Sequence, residues 1–238
     1  MPGLPAARGM GRGMFGRLFG QRRAAQPFAF TGSDLYRVSC QSCHGPDGNG
    51  APPEVNSLRG PVQGTSPALL IQRMRNASHP VDSSFLQSVA ADAEHDLRQR
   101  VREGGKKMPA FAYLTDRDVD ALVADLQRMV AIPEAAPSDR RLTLAAARVG
   151  ELVVKGTCHI CHDATGPGRQ TMMMQGGIPS LARMPEEESF GQLVAKVRQG
   201  IAPPMMMMGT GPSQMPKLPY LTEEELAAAM LYMSDYRD

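Results

Sequence analysis

Tryptophan is absent from this 238-residue chain, aromatic side chains are scarce, and there are only four cysteines and five histidines. No run of about 18 apolar residues occurs, which excludes a transmembrane helix within the sequence. Acidic side chains are missing from the first thirty residues, although Arg8, Arg12, Arg17, Arg22 and Arg23 all lie there. The formal net charge of +2 is therefore unevenly spread: with those five set aside, 21 basic residues face 24 acidic ones, a balance of −3. A mildly acidic body speaks against nucleic-acid binding by the folded part. In place of aromatics and long apolar runs stand 20 prolines and 24 glycines, a composition of short helices joined by long loops.

All four cysteines fall in two copies of one pattern, Cys40-Gln41-Ser42-Cys43-His44 and Cys158-His159-Ile160-Cys161-His162. Cys-x-x-Cys-His is the attachment signature of c-type haem: two thiols on one helical turn add to the vinyl groups, and the imidazole that follows lies under the iron. A zinc knuckle would need more cysteine or histidine nearby, and a thioredoxin-type pair needs a βαβ setting; neither is visible. With every cysteine used, none remains for a structural disulfide or a separate thiolate site. Two covalent haems are expected, one on Cys40 and Cys43 and one on Cys158 and Cys161, with His44 and His162 as proximal iron ligands. Such large apolar cofactors would complete cores that are poor in aromatics.

Residues 1–30 mix Gly, Arg, Met and Pro without periodicity and read as an extended basic arm. The arm lacks the apolar core of a secretory signal, whereas bacterial haem c is attached outside the cytoplasmic membrane. The expected location is the periplasm or the outer face of that membrane, with a signal or anchor that these residues do not display. A first domain is expected over 31–132. In it Ser33 caps a helix through Leu35 and Val38 into the first haem motif. Ser66-Pro67 opens a helix carrying Leu69, Leu70 and Met74. Leu86, Val89, Ala93, Leu97 and Val101 recur at helical spacing up to Gly104-Gly105. Thr115 and Asp118 then start a helix with Val119, Leu122, Val123 and Leu126 on one face. Pro133 and Pro137 mark a linker over 133–140. A second domain over 141–238 repeats the plan: a helix holding Leu144, Val149, Leu152 and Val153, the second haem motif, a glycine-rich loop at 166–168, a helix with Phe190, Leu193, Val194 and Val197 inward, and a last helix after Thr222.

The segments Met108-Pro109 to Thr115 and Met215-Pro216 to Thr222 match at Met, Pro, Tyr, Leu and Thr, and an acid follows each threonine three residues later. A thioether downstream of the haem motif is the usual partner of histidine in cytochromes c and raises the potential. The proline after it fixes the backbone and removes a donor beside the haem. Met108 and Met215 are accordingly the expected axial ligands. Met205 to Met208, or Met172 to Met174, could stand in for Met215; otherwise they pack as flexible thioethers around haem or form an adaptable apolar surface. Copper ligation by these runs would want histidine or cysteine beside them. His79 and His95 read as surface or propionate-contacting residues.

On the two Cys-x-x-Cys-His motifs and the two Met-Pro segments, residues 31–238 resemble the diheme members of the class I cytochrome c family, such as cytochromes c4 and the c-type subunits of respiratory and photosynthetic complexes. The basic arm, the long stretch from His44 to Met108 and the methionine runs depart from the small diheme carriers. The resemblance implies an all-α fold of two tandem cytochrome c domains, each a small helical fold around a covalent haem c. It implies a carrier that relays single electrons between redox partners and makes no bonds in a substrate. A subunit or docked partner of a membrane electron-transport complex suits the arm. A free periplasmic shuttle is the alternative within that class. Outside it stands a diheme redox enzyme of peroxidase or thiosulfate-oxidising type, which would need an open or displaceable iron site where both domains here offer a methionine.

Overall fold

The computed structural model describes residues 27–78, 81–136, 141–162, 180–201 and 215–236. Residues 1–26 of the expected arm, His79, the end of the expected linker, the glycine-rich loop at 166–168 and both methionine runs lie outside them. In chain order the elements of the first half are β1 (Phe28–Phe30), α1 (Gly32–Ser39), α2 (Gln41–His44), α3 (Arg59–Gln63), α4 (Pro67–Asn76), α5 (Ser83–Glu103) and α6 (Asp116–Met129). The second half holds β2 (Leu142–Leu144), α7 (Ala146–Gly156), a single 3-10 turn at Cys158–Ile160, α8 (Met184–Glu187), α9 (Phe190–Gln199) and α10 (Glu223–Asp235).

Reciprocal caps start four of the helices. At α6 the Thr115 hydroxyl accepts from the Asp118 N–H at 3.2 Å while the Asp118 carboxylate accepts from the Thr115 N–H at 3.0 Å. Thr222 with Glu225 does the same for α10, and Ser189 with Gln192 for α9. The cap of α1 is Thr31, not Ser33 as expected, because Thr31 has Asp34 three residues on to complete the box, whereas Ser33 would have Tyr36 there. Helix α5 ends at Gly104 as expected, but its buried line is Leu86, Ala90 and Val101. Val89 is exposed and extends a separate stripe with Val81 and Phe85, since α5 meets its neighbours along one line only. Phe190, expected inward, is likewise exposed: it sits in the first turn of α9, and Leu193 and Val197 face the core in its place.

One small two-stranded sheet stands in a mostly helical fold, in keeping with the all-α expectation. Phe28, Ala29 and Phe30 pair antiparallel with Leu144, Thr143 and Leu142. Leu144 is thus a strand residue and not the start of a helix, and Phe30, only 2% exposed, belongs to the folded body although it stands in the segment expected as arm. Otherwise the architecture is helical. In each half the first helix lies along the last, α1 on α6 and α7 on α10, and α1 also touches α7. One continuous apolar core runs through both halves, from Leu35, Val38 and Leu122 to Val149, Leu152, Leu226 and Met233.

Ties between the halves are polar as well as apolar. The Thr157 hydroxyl donates to the Val38 carbonyl at 2.5 Å. Arg37 on α1 forks onto Glu225 at the start of α10, with contacts of 2.5 and 2.8 Å, and also donates to the Tyr220 carbonyl at 2.9 Å. In the other direction Arg148 on α7 donates to Asp118 at 2.6 Å and to the Tyr113 carbonyl at 2.9 Å. Both carboxylates are 3% exposed, so these are ion pairs in low dielectric and not solvated surface contacts.

The helix crossings depend on two missing side chains. A Cβ on Gly32 would lie 2.0 Å from the Ala121 carbonyl oxygen, and one on Gly150 would lie 2.1 Å from that of Ala228. Gly32→Ala and Gly150→Ala should therefore each destabilise the protein by about 1–3 kcal/mol, the usual range for overpacking. This holds in spite of the roughly 1 kcal/mol by which alanine favours a helix over glycine. Urea unfolding followed by circular dichroism would show it as a lower midpoint; an unchanged or higher midpoint would mean that the helices do not cross at those carbonyls.

Candidate functional site

The two haem motifs hang from the ends of α1 and α7. After Ser39 the Cys40 N–H still donates to the Tyr36 carbonyl at 2.8 Å, so the chain keeps its helical direction into the motif. One closed turn follows: Cys43 and His44 donate to the Cys40 carbonyl at 3.2 and 2.9 Å. Cys161 and His162 bond the Cys158 carbonyl in the same way, at 3.2 and 3.0 Å. Each turn thus gathers both thiols and the imidazole into one short stretch.

Burial sets the protonation of several of these groups. Burial, and next the second cysteine of the same motif, pushes the Cys40 and Cys158 thiols up to about 12. Burial also lowers the pKa of His44, with the Asn56 backbone pulling the other way, so the ring is held in the neutral form that can ligate a metal. The motifs also sense each other. Cys161 is raised first by burial and then by Cys43 of the other half, and Tyr220 is pushed up to about 12 by burial, Cys158 and Cys43 in that order. With Thr157 bonded to Val38, the residues just before each motif are in direct contact.

The two methionine segments are held in matching frames. In the first half Gly104 takes a φ of +73°, the Gly105 N–H donates to the Met108 carbonyl at 2.8 Å, and Phe111 donates to Val101 at 3.0 Å. In the second half Gly200 takes a φ of +69°, Ile201 donates to the Met215 carbonyl at 3.1 Å, and Leu218 donates to Val197 at 2.8 Å. Glycine is needed twice over at each turn, for the left-handed backbone and because a Cβ would come within 2.5 Å of the Met108 carbonyl or 2.7 Å of the Met215 carbonyl. Although the second loop is longer, Met215 occupies the place in its frame that Met108 occupies in the first. Both side chains pack partly buried against the core.

Among the described residues the buried Tyr220 hydroxyl has no protein partner, while the Tyr113 hydroxyl has Ser39 beside it and His44 the Asn56 backbone. Buried polar groups are ordinarily satisfied, so this hydroxyl on the Met215 segment fits a bound group with a polar edge. Each motif offers two thiols and one imidazole within a single turn, and among the described residues no cluster of three or more His, Cys, Asp or Glu could hold a metal ion. Haem c, which brings its own equatorial nitrogens and takes two thiols and an imidazole from the chain, agrees with this donor set.

Sequence reasoning missed Arg37 and Arg148. Nothing in the repeat signals them, because they do not occupy matching positions: Arg37 stands three residues before Cys40, and Arg148 ten before Cys158. Tyr113 and Tyr220 were detectable only as matched letters of the methionine segments. His95 is exposed on α5, in keeping with a surface role.

Among the described residues no helix is long and apolar enough to cross a membrane. No curated protein and no solved structure shows a significant match to the chain. Residues 29–124, less than half of the sequence, match the family model for subunit III of cbb3-type cytochrome c oxidase. With the first haem motif and Met108 inside the matched stretch, the match supports a c-type cytochrome that holds haem c covalently and serves in electron transfer.

Proposed function

We propose that the chain is a diheme c-type cytochrome that relays single electrons between a donor at one haem and an acceptor at the other. In this reading residues 31–132 and 141–238 are tandem cytochrome c domains joined by 133–140, with β1 added to the first. Cys40, Cys43, Cys158 and Cys161 carry the haems, His44 and Met108 ligate one iron, and His162 and Met215 the other. The observation that carries the proposal is the repetition of one frame, in which a helix leads into a Cys-x-x-Cys-His turn and a glycine-anchored methionine segment leads into a capped last helix. Contact between the two motif-bearing helices favours transfer within the molecule over two independent carriers. Equal methionine frames favour two closed, low-spin irons over a diheme peroxidase or thiosulfate-oxidising enzyme, whose catalytic iron needs a free position.

The native protein should exceed its polypeptide mass by two haems that survive denaturation, and a single haem would overturn the reading. Met108→Ala and Met215→Ala should each remove the sulfur-to-iron absorption of one ferric haem and lower that haem's potential, because thioether ligation favours ferrous iron. A spectrum unchanged by Met215→Ala would return the ligand role to the methionine runs.

The same reading makes the protein a subunit or docked partner of a membrane electron-transport complex, in the periplasm or on the outer face of the membrane. Its support is the cluster of five arginines in residues 1–30 without an acidic neighbour. A chain beginning at Gln26 keeps β1, and it should retain both haem spectra and the melting temperature of the full chain. It should lose binding to anionic lipid vesicles or to an acidic redox partner. Binding of the full chain should weaken with salt, since the screening length falls from about 10 Å at 0.1 M to about 3 Å at 1 M. Equal binding by the shortened chain would reduce the arm to a spacer.

A further inference from the structure

We propose that Arg148 and Arg37 are positioning residues that hold each half's methionine segment from the opposite half, so that the ligation of each iron depends on the docking of the two halves. The proposal rests on the reading of Met108 and Met215 as iron ligands. Each segment is fastened at its front within its own half, by Gly105 on Met108 and Phe111 on Val101, or by Ile201 on Met215 and Leu218 on Val197. Its rear is fastened from across the interface. Arg148 donates to the Tyr113 carbonyl and to Asp118, and the same Asp118 oxygen accepts the Thr115 N–H that ends the segment. Arg37 donates to the Tyr220 carbonyl and to Glu225, and the Glu225 oxygen it shares accepts the Thr222 N–H at 2.8 Å.

Each guanidinium is itself oriented by its own helix, Arg37 by Asp34 at 2.9 Å and Arg148 by Glu151 at 2.5 Å. Hydrogen bonds that Arg37 donates to Glu225, and, against the cost of burial, those that Arg148 donates to Glu151 and Asp118, keep both arginines firmly protonated. The link is not a by-product of the internal repeat. Counted from the first cysteine of each motif, Lys155 is the counterpart of Arg37, and it bonds Glu151 at 2.7 Å and lies 5.4 Å from the centre of the Tyr113 ring. An arginine one helical stretch earlier, Arg148, reaches the carbonyl and the capping acid instead. The same pair of acceptors is therefore reached twice from different helix positions, which singles out those acceptors as what the arginines serve.

The test uses the holoprotein and reads each haem separately through the ring-current-shifted methyl resonance of its iron-bound methionine in the ferrous state. Met108→Ala and Met215→Ala assign the two resonances. Arg148→Met should broaden or shift the Met108 resonance, lower the potential of that haem, and raise the affinity of its ferric iron for added imidazole by about tenfold, the factor expected for losing one charge-assisted hydrogen bond. The other haem should be unaffected. Arg37→Met should do the reverse, acting on the Met215 haem although Arg37 lies beside the first motif. Arg148→Lys and Arg37→Lys keep the charge without the fork, fold where the apolar variants do not, and should give the same crossed pattern in weaker form. Effects confined to the arginine's own half, equal effects on both haems, or none while the methionine variants act as expected would overturn the proposal. Absence of any change in Met108→Ala or Met215→Ala would instead overturn the ligand assignment beneath it.

Discussion

The close crossing of the first and last helix in each half is the contact on which the remaining geometry depends. Helix α1 carries a haem motif at its end, and α6 begins where the Met108 segment stops; α7 and α10 stand in the same relation to the second motif and Met215. Backbone-to-backbone approach at Gly32 on Ala121 and Gly150 on Ala228 locks each pair. Once the pair is locked, the haem motif and the methionine segment of each half are fixed to one frame, although Met108 stands 64 residues after His44 in sequence. Larger residues at the crossing would part the helices by the width of a methyl group, and close-packed cores do not absorb such a change.

A second constraint is that the two halves share part of what closes them. The apolar core is shared, β1 completes its hydrogen bonds only with β2, and the capping acids Asp118 and Glu225 find their cationic partners across the interface. A carboxylate taken out of water is costly unless paired and hydrogen-bonded. Here each satisfies a helix N-terminus and a guanidinium at once, so the caps that start α6 and α10 are also part of the join between halves.

At the motifs burial favours the neutral Cys40, Cys158 and Cys161 thiols and the neutral His44 imidazole, while Cys43 stands exposed. Of the buried polar atoms without a protein partner among the described residues, the Tyr220 hydroxyl lies on a methionine segment, whereas Arg128 Nε and Glu188 Oε2 lie elsewhere.

The sequence by itself made the haem motifs and much of the local structure legible. Cys-x-x-Cys-His is legible because attachment needs a fixed spacing within one turn, and the caps at Thr115, Thr222 and Ser66 are legible because their partners lie three residues away. The methionine segments were legible as a repeat. Local errors arose where two readings competed within a few residues, as with Thr31 against Ser33, or where a short apolar stretch suited strand as well as helix, as with Leu144. Tertiary structure alone decided which of two apolar stripes on α5 faces inward, that Phe28–Phe30 belongs to the fold, and that Arg37 and Arg148 reach across the interface. A charged residue on a helix carries no mark of its partner when that partner is 188 residues away, as Glu225 is from Arg37, or 30 away, as Asp118 is from Arg148. Only the docking of the two halves brings those groups within hydrogen-bonding distance, and docking is a property of surfaces assembled from many separated segments, which no local pattern encodes.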